Sequence, residues 1–473
     1  MDTDASAEPD TILEAGVRDH LASVIAWGSF FAASWLLFAT RGRYHPWVVY
    51  YAGCVGLFLI TVIGMRVCRR GLPLGPPAIV VISLGILMQL WLQFKNPGVM
   101  YFKHDLARQL LSNGILLSLA ITAGAMLWGA WRRGGPLNLP LAPVVALFVI
   151  FLLGSGAVIL GSPTPHIDVW TMGQEASELL WNGTNPYSHI YPDIYRGRYS
   201  YTPVFPYWPG TLYGNALSWR LTGEIRWEYV LTSILSLALL VRLSRSLLGP
   251  SRQFALPMVF MSLPMTFFVL EQSWVDAALI SMVIASYVAF REQRFLLLGV
   301  LLVLAPAVKQ YGVVFSVFLG LAVLRDTTWQ QRKTLIFGAT MTAGLLFIPF
   351  IILDAQAIYD STVGNLLDVK PRMDSFSLTA HWAREGLINA RGSGATLMTA
   401  VLGGLLCVWI SWGRGDPLIA TASLFAFFFL FSKVSFCNYH HFLLGIFALL
   451  LLHLHGNWLN CGSMSLSTSR GQS

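Results

Sequence analysis

Charge is scarce in this chain of 473 residues: Asp, Glu, Lys and Arg together make up only 11%. An ordinary soluble domain carries roughly 25%, so a soluble globular protein is excluded. Cysteine is sparse too. Cys54, Cys68, Cys407, Cys437 and Cys461 are unclustered and form no CxxC pair, which argues against a metal site or a disulfide framework. No repeat of 20 to 50 residues is visible, which argues against a solenoid. The opening stretch MDTDASAEPD is acidic and has no basic segment before a cleavage site, so no removable signal peptide is expected. The net charge of +8 forms no basic stripe. It is scattered as pairs beside apolar runs, such as Arg69-Arg70, Arg132-Arg133 and Arg332-Lys333. Such pairs mark membrane topology rather than nucleic-acid binding.

What the chain has instead is hydrophobic length. Hydrophobic residues make up 55% and the mean hydropathy is +0.61. Apolar runs, many near membrane-crossing length, cover 20–40, 47–66, 78–94, 110–131 and 144–161. Further runs cover 228–247, 254–270, 275–290, 295–308, 313–324, 334–353, 395–412, 418–433 and 441–456. The reading is an all-α polytopic membrane protein, a bundle of about fourteen transmembrane or partly inserted helices. It divides into a four-helix membrane extension (1–143), a membrane core (144–456) and a disordered cytoplasmic tail (457–473). Two polar gaps, 162–227 and 354–394, are too long for turns. Counting spans puts both on one side, and most of the short basic loops fall on the other. Short basic loops stay cytoplasmic, so both long loops are expected outside.

The first gap opens with DVWTMGQEASELLWNGTNPY, residues 168–187. Asp168, Thr171, Glu175, Glu178 and Asn182 recur at helical spacing, with Val169, Met172, Ala176, Leu179 and Leu180 on the other face. An amphipathic helix lying in the membrane interface is predicted, ended at Asn185-Pro186. Tyr187, Tyr191, Tyr195, Tyr199, Tyr201, Tyr207 and Trp208 follow among prolines, a composition suited to headgroup level. An interfacial anchor accounts for most of these residues. It does not account for Asp168, a carboxylate seven residues beyond an apolar run.

Ionisable residues inside a membrane cost about 2.5–3.5 kcal/mol each and are functional candidates by default. Three stretches qualify: VLEQSWVDAALI with Glu271, Gln272 and Asp276; LAPAVKQYGVVF with Lys309 and Gln310; and FSKVSFCNYHHFLLG with Lys433, Asn438, Tyr439, His440 and His441. Each has a plainer explanation. Glu271 or Asp276 could cap a helix or pair with a lysine, Lys309 could snorkel, and the histidines could be watered at the interface. Pro306 and Gly312, three residues to either side of Lys309, instead favour a broken helix lining a cavity. A carboxylate can take the proton of an attacking hydroxyl, and a lysine can stabilise a departing phosphate. Nucleotide sugars are cytoplasmic, so an outward-facing transferase of this kind needs a lipid-linked donor.

Asp168, Gly183-Thr184-Asn185-Pro186-Tyr187, Tyr199-Ser200-Tyr201-Thr202-Pro203, Gln272 with Asp276, Lys309-Gln310 and Tyr439-His440-His441 occur in an order that resembles GT-C glycosyltransferases. The closest resemblance is to glycosyltransferase family 87, the polyprenol-phosphate-mannose-dependent mannosyltransferases. It covers roughly 144–456; the first four spans have no counterpart in it. The resemblance implies Asp168 as general base of an inverting transfer needing neither metal nor cofactor. It implies Lys309, Gln310, His440 and His441 around the donor phosphate, and Glu175, Asn185, Tyr187, Tyr201, Gln272 and Asp276 around the substrates. A solvated interfacial glutamate is the alternative for Glu175. The loop with Lys370, Arg372, His381 and Arg384 would cover the site, grip an anionic acceptor or simply be solvated. The implied partners are a polyprenyl-phosphate sugar, a glycolipid or glycan acceptor and membrane lipids, with no nucleic acid. The catalytic face would be extracytoplasmic in the cell membrane. A secondary transporter or lipid flippase is the rival reading, but the paired repeats usual in that class are not visible. A catalytically inactive scaffold is a third.

Overall fold

A computed structural model of the protein describes residues 9–67, 71–199, 202–388, 394–413 and 415–469. In a bilayer every backbone polar group must be satisfied within the protein, and helices achieve this locally. The described residues are accordingly helical with no strand, apart from an isolated bridge between Arg43 and Ser375. Helices α1 (Pro9–Thr40), α2 (Val48–Val67), α3 (Pro76–Lys95) and α4 (Asp105–Arg132) precede α5 (Leu141–Gly161). The first polar gap holds α6 (Asp168–Trp181) and α7 (Pro209–Thr222), and α8 (Arg226–Leu248) returns to the apolar bundle.

Beyond α8 the helices shorten into α9 (Ala255–Met261), α10 (Thr266–Glu271), α11 (Asp276–Arg291), α12 (Phe295–Val308) and α13 (Val313–Asp326). Then come the long α14 (Trp329–Tyr359), a π-helical turn at Asp360–Gly364, α15 (Asn365–Asp368) and α16 (Leu378–Arg384). The chain closes with α17 (Gly394–Ser411), α18 (Pro417–Phe431) and α19 (Cys437–Ser469). Eight segments of the described chain are long and apolar enough to cross a membrane, namely α1 to α5, α8, α14 with its extension, and α19. This is a polytopic membrane protein.

The fourteen apolar runs therefore do not become fourteen full spans. Run 254–270 is split at Pro264 into α9 and α10, because proline lacks the amide a continuing helix needs. Run 295–308 ends as α12 and hands over to α13 through a 3₁₀ turn at Gln310–Gly312. The last helix continues to Ser469, through residues 457–469 that the Ser- and Gly-rich composition assigns to a disordered tail. No proline interrupts that stretch, and helix propensity alone opposes continuation only weakly.

The N-terminal helices pack into the core rather than beside it. Trp27 Nε1 donates to His455 Nε2 on α19 at 2.9 Å, and Phe58 stacks on Phe447 with ring centroids 4.0 Å apart. Glu271 at the end of α10 is fully buried and holds the α3–α4 connection. Its carboxylate accepts the Met100 and Tyr101 amides at 2.6 and 2.8 Å and the Ser162 hydroxyl at 2.7 Å. Its partners are thus backbone amides, not a lysine.

The aromatic tract of the first gap does not all sit at headgroup level. Tyr187 and Tyr191 are 2% exposed, in a small second core with Met172, Ala176, Phe205, Leu212 and Phe350. Their hydroxyls reach the Tyr207 and Pro186 carbonyls at 3.0 and 2.9 Å. A satisfied hydroxyl lets the whole ring be buried.

Helices α12 and α14 cross at two glycines. A Cβ on Gly299 would collide with the Leu335 carbonyl, and one on Gly338 would lie 2.5 Å from the Leu296 carbonyl oxygen. Small residues allow such backbone approach between membrane helices. Gly299→Val is expected to cost about 1–3 kcal/mol by overpacking, read as an earlier thermal unfolding transition in detergent. An unchanged transition would mean that this crossing does not hold the two helices together.

Candidate active site

A cavity of about 750 Å³ lies among α3, α4, α5 and α8 and is lined almost wholly by apolar side chains. A second one, of about 870 Å³, gathers the polar residues. Asp168, Gln272, Lys309 and Gln310 all line it, although they come from α6, the α10–α11 turn and the α12–α13 break. A carboxylate and a lysine far apart in sequence thus share one hollow.

Asp168 is the first residue of α6, where the helix N-terminus favours a negative charge. Its Oδ1 accepts the Val169 amide at 2.9 Å, and its own amide donates to the Tyr195 hydroxyl at 3.4 Å. Burial, and then the Asp168 carboxylate, push the Tyr195 phenol above its ordinary value, so it remains protonated beside the acid.

The lysine sits where α12 breaks. Pro306 lies inside the last turn and Lys309 itself is extended, with φ −150° and ψ 128°. The freed Val308 carbonyl accepts the Thr211 hydroxyl at 2.6 Å, and Gln310 Nε2 reaches the Pro206 carbonyl at 2.5 Å. The broken end is therefore fastened to the first polar gap, residues 162–227. Lys309 Nζ lies 2.8 Å from Asp276 Oδ2, and its side chain is only 7% exposed. Asn438 Nδ2 donates to the same oxygen at 2.8 Å, and the Tyr311 hydroxyl donates to Oδ1. The ammonium also lies 5.0 and 4.7 Å from the ring centres of Tyr311 and Tyr439, a cation–π setting. Asp276 thus stands behind the lysine, paired with it, rather than lining the cavity.

The other residues named from sequence lie elsewhere. Glu175 is 2.8 Å from His189 and does not reach the cavity. Asn185 caps the short turn that follows it, accepting the Tyr187 amide at 3.1 Å, and Tyr187 belongs to the second core. His440 is fully buried, within hydrogen-bonding distance of Ser435, Tyr51 and the Phe376 carbonyl. These partners consume both of its ring nitrogens. His441 faces a small separate void with Tyr229 and Ser233. Tyr201 lies outside the described residues. Among the described residues no three His, Cys, Asp or Glu side chains group as a metal site would need.

Several lining residues escape the sequence reading. Arg41, Arg43, Tyr101 and His166 form one wall and Arg198 joins them; Arg372 and Lys433, both named from the sequence, line the cavity too. Arg372 bonds both oxygens of Asp374, at 2.8 and 2.6 Å, and lies 3.8 Å from the Tyr199 ring centre. Burial works against ionising Asp374, yet the Arg372 guanidinium holds its carboxyl below the usual range. That contribution is present at neutral pH and fades only as pH falls through the lowered value. A signal for the first wall does exist in the sequence. Arg41 and Arg43 occupy a short loop assigned outside, where basic residues are disfavoured.

These features define a helical membrane protein with a polar cavity whose described lining is mostly cationic and includes two carboxylates, Asp168 and Asp374. The model of glycosyltransferase family 87 matches residues 217–433 and supports assigning the chain to this GT-C-type family. That match supports membrane glycosyltransferase activity. It takes in Gln272, Asp276, Lys309 and Gln310 and leaves Asp168 and the N-terminal helices outside. No curated protein and no solved structure matches the chain.

Removing one partner of a buried ion pair strands the other. Asp276→Ala is expected to destabilise the protein by about 3–5 kcal/mol, and the double change Asp276→Asn/Lys309→Gln by much less. Thermal unfolding of the single and double variants in detergent measures this. Equal losses would mean the pair is not coupled.

Proposed function

We propose that the protein transfers a hexose, mannose by its resemblance, from a polyprenyl-phosphate carrier to an acceptor hydroxyl on the extracytoplasmic face. The carrying observation is that Asp168 and Lys309 line one cavity. In the transfer, the acceptor oxygen attacks the anomeric carbon from the face opposite the carrier. The bond from that carbon to the phosphate oxygen breaks with inversion, the hydroxyl proton passes to Asp168, and the lipid phosphate leaves with the bonding electrons. The ammonium of Lys309, with Gln310 beside it, faces the charge that gathers on the leaving phosphate, as electrostatic stabilisation requires. Asp276 acts through Lys309, holding the ammonium charged and fixed. The acceptor is a glycolipid or glycan outside the cytoplasm, and the chain itself supplies all the acid–base chemistry.

General-base catalysis contributes typically 10²- to 10⁴-fold. Asp168→Asn keeps an oxygen for the Val169 amide and is expected to lower transfer by at least about 100-fold with an unchanged melting transition. The assay follows labelled prenyl-phosphate mannose, with a panel of other prenyl-phosphate sugars, onto acceptors in a membrane extract. Normal turnover by the variant would remove Asp168 from the mechanism. Label that crosses the bilayer without forming a new glycosidic bond would favour a lipid flippase.

A further inference from the structure

The matched family region leaves α1 to α4 without a role, yet the connection between α1 and α2 forms part of the cavity wall. Arg41 and Arg43 both line the cavity and both are exposed. Neither guanidinium makes a hydrogen bond or ion pair with a described residue. Arg43 is close enough to Asp374 and Tyr101 to favour the ionised form of each, although burial leaves the Tyr101 phenol raised.

The turn that carries them is built, not loose. Arg41 and Gly42 take left-handed φ values of 52° and 60°, a conformation that favours glycine. A Cβ on Gly42 would collide with the backbone of Cys437, the residue before Asn438. On the other side, the Tyr44 amide donates to the Asp374 carbonyl at 2.9 Å, and Arg43 pairs with Ser375. The Tyr44 hydroxyl lies 3.2 Å from His381 Nδ1, and Arg384 lies 4.2 Å from the Tyr44 ring centre. The backbone that carries two arginines two residues apart is thus fixed at the cavity wall, which lowers the entropic cost of gripping an anion.

Charge counting says which anion. Among the described lining residues, six are cationic (Arg41, Arg43, Arg198, Lys309, Arg372 and Lys433) and two, Asp168 and Asp374, are acidic. Asp276 behind Lys309 offsets one more. A sugar phosphodiester, the donor in the function proposed above, carries one negative charge. The described lining thus stays cationic with that donor bound, and the α1–α2 turn carries two of its arginines. Guanidinium groups suit phosphate because their planar donors bind it in a bidentate manner.

We infer that Arg41 and Arg43 form a second anion site, distinct from the place of the donor phosphate, which holds a phosphate group on the sugar acceptor. This inference rests on the transferase reading for the word acceptor. The site itself is read directly by binding.

The test uses the full chain in phosphatidylcholine nanodiscs with two phosphate probes, glycerol 1-phosphate and lysophosphatidylglycerol, with and without saturating citronellyl-phosphate mannose. At least one probe is expected to bind alongside the donor. Arg41→Gln/Arg43→Gln is expected to weaken that probe at least tenfold while changing donor affinity less than threefold. Preference for the lysolipid would identify a lipid headgroup as the source of the phosphate; equal binding would identify a soluble phosphate. Arg41→Lys/Arg43→Lys keeps the charge without the planar fork and should fall between. Expulsion of both probes by the donor, or wild-type probe affinity in the glutamine variant, would overturn the inference. Failure of the donor to bind the unmodified protein would instead defeat the transferase reading, leaving the phosphate measurement intact.

Discussion

The ion pair between Lys309 and Asp276 is the constraint around which this membrane core is organised. A lone ammonium among apolar helices is costly, and a lone carboxylate there is costlier still to leave unsatisfied. The protein meets both costs at one point by bringing Tyr311 and Asn438 onto the same carboxylate. Satisfying that group requires α11, the α12–α13 break and the start of α19 to converge. Once they do, the lysine can face the cavity only along the side that Asp276 leaves open.

The break in α12 follows from the same economy of donors and acceptors. Pro306 and an extended Lys309 free carbonyls that water would otherwise claim. Thr211 takes one of them, and Gln310 turns outward to the Pro206 carbonyl. The first polar gap is thereby fixed to the α12–α13 break, and α6 packs on α7 with Asp168 at its leading end. The acid is held by the loop and the cation by the break, so one set of hydrogen bonds sets their relative position.

Much of the helical architecture was legible in the sequence, because apolar runs and their interruptions follow directly from bilayer physics. The start and polar face of α6 could be read from spacing, but the helix ends at Trp181, ahead of Asn185-Pro186, where Gly183 takes a left-handed φ of 75°. Asp168 and Lys309 stood out as ionisable groups in apolar surroundings. The full-span count was not legible, because Pro264 and Pro306 shorten helices that composition alone reads as continuous. The paired histidines show a different limit. Both looked exposed from their place at the head of a span, yet His440 is consumed by Tyr51, Ser435 and Phe376. Those partners lie up to 389 positions away, and no local pattern signals them. The arginine wall is half legible: basic residues in a loop assigned outside mark Arg41 and Arg43, but their place at the cavity is set by contact between α1, residues 354–394 and α19.

That meeting of the two ends of the chain carries a consequence for biogenesis. The turn after α1 rests on Cys437, at the head of α19. Helices α1 and α2 must therefore wait, with this seat empty, until α19 has entered the membrane. A ribosome product cut short before α19 would have neither the floor under Gly42 nor Asn438 behind Lys309. The seat under the α1–α2 turn is complete only once α19 is in place.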